Sequence, residues 1–227
     1  MTASSVAARA NLRLILGSAS PRRQQILSRL GLPYLAFPCE LDERPQPGET
    51  PRALAERLAR EKAQFAARQF PGDVALGADT VVALDGEPLG KPASSTAATA
   101  MLHRLRNRSH HVITAVAAAR VDSGGLPATW VQSGITEVWM RNYSDAEVEA
   151  YVASGDPFDK AGAYAIQHPT FRPAERLDGC FLSVVGLPLP EVFRVLTAAG
   201  ARLPRMDRKL IEGVCPACRD LAELPLS

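Results

Sequence analysis

Two hairpin signals constrain the fold of this 227-residue chain more than any other feature. The β-branched segment 73–84 ends at Asp85-Gly86, a dipeptide typical of a tight turn between antiparallel strands. Two further strand-like segments, 110–121 and 129–140, are joined by a Gly-Gly-Leu-Pro turn. Antiparallel pairs are therefore expected, and a purely parallel βαβ series does not fit.

Helical signals lie between and around these strands. A buried strand over 12–18 precedes a helix that Ser20 caps, with Pro21 in its first position and Gly31 at its end. The remaining helices are expected over 50–70, 94–105, 144–153 and 190–199. We expect one more strand over 180–188, an irregular stretch over 33–49, and a loop with a strand fragment over 156–168. This mixed order favours an α/β or α+β fold with a mixed sheet.

Composition narrows the function classes. The length suits one large α/β domain or two small ones. A net charge of +2 argues against a dedicated nucleic-acid binder. No apolar run reaches the ~18–20 residues of a membrane span. The N-terminus has no apolar core of a secretory signal, so we expect a cytoplasmic protein with a disordered lead-in over 1–11. Neither a dinucleotide fingerprint nor a P-loop is present, which disfavours Rossmann dehydrogenases and P-loop ATPases.

Two adjacent arginines, Arg22 and Arg23, follow Ser20-Pro21 at the start of the first helix. A helix N-terminus attracts phosphate through its free N–H groups, and guanidinium forks match phosphate oxygens. Arginine in the first turn opposes the helix dipole, so a pair of them there needs a reason. The alternatives are a phosphate site and two solvated surface arginines.

Three further residues are candidates for the same chemistry. Lys62 lies one helical turn after Leu58, on the core-facing stripe of the second helix, so its stem snorkels past the core or its ammonium enters a site. Asp79, at a Gly-Ala break beside a buried strand, could bind Mg²⁺ or activate a water, although turn aspartates are common. Lys91 stands between a glycine and a proline, where a rigid turn could present its ammonium to a phosphate.

The segment around Asp159, Lys160 and Gln167 contains small residues that allow close approach of a ligand. The Gln167 amide both donates and accepts, so it could bind the edge of a base. A structural loop is the alternative. Taken together, clustered cations, a carboxylate and a water-positioning group are what phosphoryl chemistry requires.

Four cysteines are present, and Cys215 and Cys218 have the spacing of a zinc knuckle or a redox pair. One such pair supplies two of the four ligands of zinc. Two interpretations stay open: a polar tail with two thiols, and a zinc-linked interaction module completed by Cys39 or by a second chain.

Seven motifs in unbroken order resemble the Maf family of nucleoside triphosphate pyrophosphatases. They are SASPRR (18–23), AREKA around Lys62, GADTVV (77–82), GKP (90–92), RSHHVITAV (108–116), DKAGAYAIQ (159–167) and SVVGLP (183–188). The resemblance covers 12–199 and leaves 200–227 as a C-terminal extension. It implies an elongated mixed sheet flanked by helices, with two lobes around a central cleft, as in inosine triphosphate pyrophosphatases.

The resemblance also implies an activity: hydrolysis of a nucleoside triphosphate to the monophosphate and pyrophosphate, with Mg²⁺ or Mn²⁺ and often in a homodimer. Such enzymes remove certain nucleotides before they enter nucleic acid. By position, Asp79 matches the proton acceptor and a metal partner, and Glu43 matches an acidic residue near the metal. The positions that match phosphate-binding groups are Ser18, Ser20, Arg23, Lys62 and Lys91.

Three positions, Arg22, Thr80 and Gln167, are similar to the branch of the family that acts on dTTP and UTP. The alternatives are the branch that acts on 7-methyl-GTP, and a nucleotide-binding regulator of septum formation with little turnover. One departure lies beside the expected base site: the family usually continues AIQ with glycine, whereas His168 stands here.

Overall fold

The computed structural model describes residues 13–122 and 125–203. The expected lead-in, and the tail with Cys215 and Cys218, lie outside these residues. The strands are β1 (Leu14–Leu16), β2 (Tyr34–Ala36), β3 (Val74–Leu84), β4 (Glu87–Leu89), β5 (Ser109–Val121), β6 (Pro127–Met140) and β7 (Ala174–Asp178). The helices are α1 (Pro21–Arg29), α2 (Pro51–Gln69), α3 (Ser95–Leu105), α4 (Asp145–Ala153), α5 (Phe181–Val185) and α6 (Leu189–Ala198), with 3₁₀ turns at Asp156–Asp159 and Ala161–Ala163.

One mixed sheet organises these elements. Six strands follow the order β2-β1-β3-β5-β6-β7, and β4 pairs with β3. β1 is parallel to β2 and β3, and the other pairs are antiparallel. Asp85 and Gly86 both have positive φ, 54° and 82°, in the turn between β3 and β4. The expected mixed α/β sheet and both hairpins are confirmed.

The core consists of three clusters of buried side chains. α1, α5 and α6 cover one face of the sheet, and α2 covers the other. α3 and α4 form the third cluster with β4 and the adjacent ends of β3, β5 and β6. Because β3 and β5 contribute to all three clusters, these long strands join a lobe built on α1, α2 and α6 to a lobe built on α3 and α4.

Gly77 fixes how closely α2 approaches the sheet. A Cβ atom there would lie 2.3 Å from the carbonyl oxygen of Ala59 and 2.5 Å from the backbone nitrogen of Ala63. Both atoms belong to the backbone of α2 and cannot move independently of the helix. Glycine is therefore required for this packing, which places Lys62 of α2 beside the middle of β3.

The segment 180–188 contains a helix, α5 (Phe181–Val185), and the expected strand is wrong. Gly186, at φ 115°, ends the helix, and its N–H donates to the carbonyls of Leu182 and Ser183. A short apolar run with no polar periodicity fits a buried strand and a buried helix equally well. Here the left-handed C-cap decides for the helix.

Three smaller expectations also need correction. Asp79 lies inside the continuous strand β3 and not at a break. The glycine of the Gly-Ala pair before it, Gly77, allows α2 to pack closely against the strand and does not interrupt it. Residues 156–168 contain two 3₁₀ turns and no strand fragment. The short strands β2 and β7 were not expected. Within the described residues, no helix combines the length and apolar character needed to cross a membrane.

Candidate active site

A cleft of about 870 Å³ lies between the two lobes. All the side chains that the sequence singles out for a site line it: Ser18, Ser20, Arg22, Arg23, Glu43, Lys62, Asp79, Thr80, Lys91 and Gln167. They come from α1, α2, β3 and four connecting segments. The structure therefore brings the candidate residues together, while the role assigned to each stays a prediction.

The Lys62 ammonium lies between two carboxylates. Its Nζ is 2.7 Å from Oδ1 of Asp79 and 2.6 Å from Oε1 of Glu43. Lys62 is 6% exposed and Asp79 is 8% exposed, whereas Glu43 sits on the irregular segment before α2 and is more open. Of the two interpretations of a lysine on the core-facing stripe, the structure selects the one in which the ammonium enters a site.

Glu43 is held in its charged form. Burial raises the pKa of its carboxyl, but the hydrogen bond from Lys62 and the charges of Lys62, Lys91 and Arg23 together bring that pKa below its ordinary value. The Lys91 ammonium lies 3.8 Å from Oε2 of Glu43. At neutral pH the cleft thus presents the ionised carboxylate of Glu43 among several basic side chains.

The carboxylates of Asp79 and Glu43 fit a divalent cation that arrives with a phosphate ligand. Mg²⁺ is usually bound by one or two carboxylates together with substrate phosphates and waters. Both carboxylates contact the same ammonium, so they converge on one region of the cleft. No cluster of three or more acidic, histidine or cysteine ligands occurs in the part of the chain that the structure describes. The donor set resembles a magnesium–nucleotide site more than a closed protein cage.

Arg23 is fixed by three hydrogen bonds. Its Nε donates to the carbonyl of Gly186 at 2.9 Å, and its terminal nitrogens donate to Ser18 Oγ at 3.1 Å and Thr80 Oγ1 at 3.2 Å. Burial lowers its pKa, while the charges of Asp79 and Glu43 oppose that effect. A guanidinium has five N–H donors, so two stay available for an anion in the cleft.

Ser18 and Ser20 shape the turn that leads into α1. The backbone N–H of Ser20 donates to Ser18 Oγ at 3.2 Å, the same oxygen that accepts from Arg23. Ser20 is the N-cap of α1, as expected, but its side chain makes no capping hydrogen bond. The hydroxyl of Ser20 is therefore not committed to the helix.

Arg22 reaches the opposite wall of the cleft. Its guanidinium lies 3.6 Å from Oδ2 of Asp159, which belongs to the first 3₁₀ turn. Lys160, 8% exposed, donates to the Asp156 carbonyl at 2.5 Å and contacts Asp159 Oδ1 at 2.5 Å. Lys160 thus holds its own loop together, whereas the Arg22–Asp159 ion pair links the two lobes.

Gln167 occupies the same wall as Lys160. It is exposed to the cleft, and its amide makes no hydrogen bond with any residue that the structure describes. A free amide can donate to one atom of a ligand and accept from another. The geometry is compatible with the expected contact to a base.

The sequence model of a family described as Maf-like protein matches residues 13–199. The chain belongs to the Maf family. A protein of Thermomicrobium roseum named dTTP/UTP pyrophosphatase is 46% identical over 208 residues, which cover 91% of this chain and 93% of the relative. A protein of Syntrophomonas wolfei with the same name is 46% identical over 192 residues, covering 85% of this chain and 100% of the relative.

A solved structure, that of a HAM1 protein from Coxiella burnetii, aligns with 82% of this chain and 99% of its own. The sequence identity is 19% and the TM-score is 0.46.

His168, where the family resemblance leads us to expect glycine, organises the turn after Gln167. Its Nδ1 accepts the backbone N–H of Phe171 at 3.0 Å, and its ring meets Tyr151 edge-on with centroids 4.8 Å apart. The departure therefore builds a closed turn on the second lobe, and it leaves Gln167 in the cleft.

The structure adds groups that the sequence did not single out. Thr114 on β5 contacts Thr80, and Gly186 supplies a carbonyl to Arg23. Tyr164 lines the cleft and lies 2.7 Å from Nε2 of the buried His110. Burial, aided by the charge of His111, lowers the pKa of His110 to about 4, so its ring is neutral at pH 7. The sequence signal that could have identified Thr114 and His110 is the occurrence of a polar residue inside the apolar strand β5.

Proposed function

We propose that this chain hydrolyses nucleoside triphosphates between the α and β phosphates, with dTTP and UTP as its preferred substrates. The cluster of Lys62, Asp79 and Glu43 within reach of Arg23 and Lys91 carries the proposal. Cations that neutralise phosphate oxygens, beside a carboxylate that positions water, are the groups that phosphoryl transfer requires. The name dTTP/UTP pyrophosphatase, which the two relatives share, supports the choice of substrate.

The cations bind the triphosphate. Arg23 contributes its two remaining N–H groups, and Lys62 and Lys91 contribute ammonium groups from two other elements. The hydroxyl of Ser20 and the turn at Ser18 face the same phosphates. Because these groups are already fixed by the protein, little reorganisation is needed when charge develops in the transition state.

Asp79 activates the water. Its Oδ1 is bonded to Lys62, so Oδ2 is the oxygen that orients the water and accepts its proton. The water oxygen forms a new bond to phosphorus, the bridging P–O bond breaks, and pyrophosphate leaves with the electron pair of that bond. Mg²⁺ or Mn²⁺, held by Asp79 and Glu43, would supply charge neutralisation on the phosphate oxygens.

Gln167 and Arg22 lie where the base and sugar would extend from the phosphates. The amide of Gln167 donates to O4 and accepts from N3–H of a uracil or thymine ring. Arg22 stands opposite, held by Asp159. These contacts give the preference for pyrimidine nucleotides that we assign to this cleft.

The test is pyrophosphate release from a panel of nucleoside triphosphates, including 7-methyl-GTP, with Mg²⁺ or Mn²⁺ and with a chelator. We expect dTTP and UTP to give the monophosphate and pyrophosphate in equal amounts, and the chelator to stop the reaction. Equal release from all bases would contradict the role of Gln167, and no release from any nucleotide would contradict the proposed activity.

We further propose that the enzyme acts in the cytoplasm on free nucleotides, with neither nucleic acid nor a membrane as partner. The net charge of the chain is only +2, as expected for a protein that binds a small anion with a few clustered cations rather than nucleic acid with a basic surface. The homodimer that the family resemblance implies stays a prediction, and sedimentation of the purified chain tests it.

A further inference from the structure

Two threonines form a buried connection behind Arg23. The antiparallel register of β3 and β5 places Thr114 directly opposite Thr80. Thr114 Oγ1 is 3.0 Å from Thr80 Oγ1 and 2.7 Å from the carbonyl oxygen of Ser183, and Thr114 is 0% exposed. Thr80 Oγ1 in turn receives a hydrogen bond from Arg23.

Arg23 and Thr114 are the donors of this connection. The Ser183 carbonyl can only accept, so it accepts from the Thr114 hydroxyl. Thr80 Oγ1 is a second acceptor for the same hydroxyl, across 3.0 Å. Since a guanidinium can only donate, Thr80 also accepts from Arg23. Thr80 Oγ1 is therefore held between Arg23 and Thr114.

Gly186 fixes the same guanidinium from the other side. Its carbonyl accepts from Nε of Arg23 at 2.9 Å. At φ 115° any other residue would be strained, and a Cβ would lie 3.3 Å from Thr80 Oγ1 and 3.4 Å from Arg23 Nε, so this position favours glycine. The end of α5 therefore supplies both terminal acceptors, the carbonyls of Ser183 and Gly186.

We propose that Thr114 is a positioning residue that, through Thr80, sets the orientation in which Arg23 meets the phosphates of the substrate. This inference rests on the proposed function for the identity of the substrate. Because Thr80 Oγ1 accepts from Arg23, its hydroxyl acts on the phosphate end of the cleft through that guanidinium.

The test measures binding of tripolyphosphate, which has no base, by calorimetry in the presence of Mg²⁺. Thr114→Val keeps the side-chain shape and removes the hydroxyl. We expect affinity to fall about tenfold, as for the loss of one hydrogen bond to a charged group. Thr114→Ser restores the hydroxyl and should restore the affinity. Binding by Thr114→Val within twofold of wild type would overturn the proposal.

Two further variants separate positioning from general damage. Thr80→Val should weaken tripolyphosphate binding as Thr114→Val does. Unchanged tripolyphosphate affinity in Thr80→Val would contradict the proposal. Thr129→Val, a strand threonine on β6 that contacts Gln64 at 3.1 Å, serves as the matched control and should bind like wild type.

A spectroscopic readout covers the case in which Thr114→Val fails to fold. In the wild-type protein, the Nε–H of Arg23 should exchange slowly with solvent by NMR, and in Thr80→Val it should exchange faster. If the Nε–H of Arg23 exchanges at the same rate in wild type and in Thr80→Val, then Thr80 does not hold the guanidinium and the proposal is wrong. Because tripolyphosphate binding and exchange need no turnover, both can support the inference even if the wild-type protein hydrolyses no nucleotide, which is the result that defeats the proposed function.

Discussion

Lys62 shows how a charged side chain can be buried in a cleft. An unpaired ammonium in a dry interior is costly, and two carboxylates at hydrogen-bond distance offset part of that cost. Asp79 and Glu43 supply those partners from a strand and from an irregular segment. Each partner keeps one oxygen that the Lys62 ammonium does not contact at these distances.

We expect Lys62→Met to move the acid limb of the kcat/KM profile to higher pH. In the folded protein, burial raises the pKa of Glu43. The hydrogen bond from Lys62 and the positive charges of Lys62, Lys91 and Arg23 lower it by more, so the pKa lies below its ordinary value. Without the Lys62 ammonium, burial raises that pKa, so Glu43 is protonated and inactive at a higher pH. Lys91→Met, which removes a more distant ammonium, should move the limb less. A limb that stays in place in Lys62→Met would contradict this assignment.

Gln167→Ala should flatten the preference among nucleotides. Removing the amide takes away two hydrogen bonds to the pyrimidine ring, so we expect kcat/KM for dTTP to fall about tenfold or more. The value for a poor substrate should change little. Gln132→Ala, an exposed glutamine on β6, is the matched control. If both variants keep the wild-type ranking of substrates, the base is recognised elsewhere.

At the scale of elements, the contact between α2 and β3 sets the distance between Lys62 and Asp79. Gly77→Ala would place a methyl group within 2.5 Å of α2 backbone atoms, and the helix would have to move outward. Overpacking of this kind costs about 1–3 kcal/mol. We expect a lower free energy of unfolding and a lower kcat together.

Gly134→Ala is the matched control for Gly77→Ala. It also places a methyl group on a strand glycine, but the nearest side-chain atoms lie at 3.6 Å, an ordinary contact distance. Chemical denaturation and dTTP turnover of both variants make the comparison. Similar losses in the two variants would show that the close approach at Gly77 is not what matters.

Capping signals predicted helices well, because they are local. Thr50 accepts from the N–H of Ala53 at the start of α2, and Ser144 with Glu147 forms the expected capping box at α4. The segment 180–188, expected as a strand, holds a helix that the left-handed Gly186 ends, and apolar composition alone does not distinguish the two. The sequence does not predict β2 and β7, because such short strands form by pairing with strands β1 and β6 and carry no clear pattern of their own.

At the scale of the whole molecule, the sequence located the cleft but not its supporting network. Residue type and placement pointed to Arg23, Lys62 and Asp79, since each is unusual in its own segment. In the sequence, Thr114 is an ordinary strand residue. Its contact with Thr80 follows from the register in which β3 and β5 pair. Contacts of this kind depend on long-range pairing, which local patterns do not contain.

A ligand that spans the cleft should stabilise the whole molecule. In the binding mode that we propose, the phosphates of the substrate would contact α1, α2 and β3, and its base would contact the second lobe. Saturation at 100 times Kd adds about 2.7 kcal/mol to the free energy of unfolding. We expect Mg²⁺ and dTTP to raise the Tm of the Asp79→Asn variant, which binds without turnover, more than an equal concentration of Mg²⁺ and ATP. An unchanged Tm would argue against this cleft as the nucleotide site.

The central claim is that Asp79, among the cations of one cleft, lets water split the phosphoanhydride of a nucleotide. The most direct measurement is the rate of dTMP and pyrophosphate formation from dTTP and Mg²⁺ by wild type and by Asp79→Asn, with Tm and chemical denaturation confirming the fold of the variant. Loss of a general base predicts a fall in kcat of about 100-fold or more. A folded Asp79→Asn variant with near wild-type turnover would contradict the account.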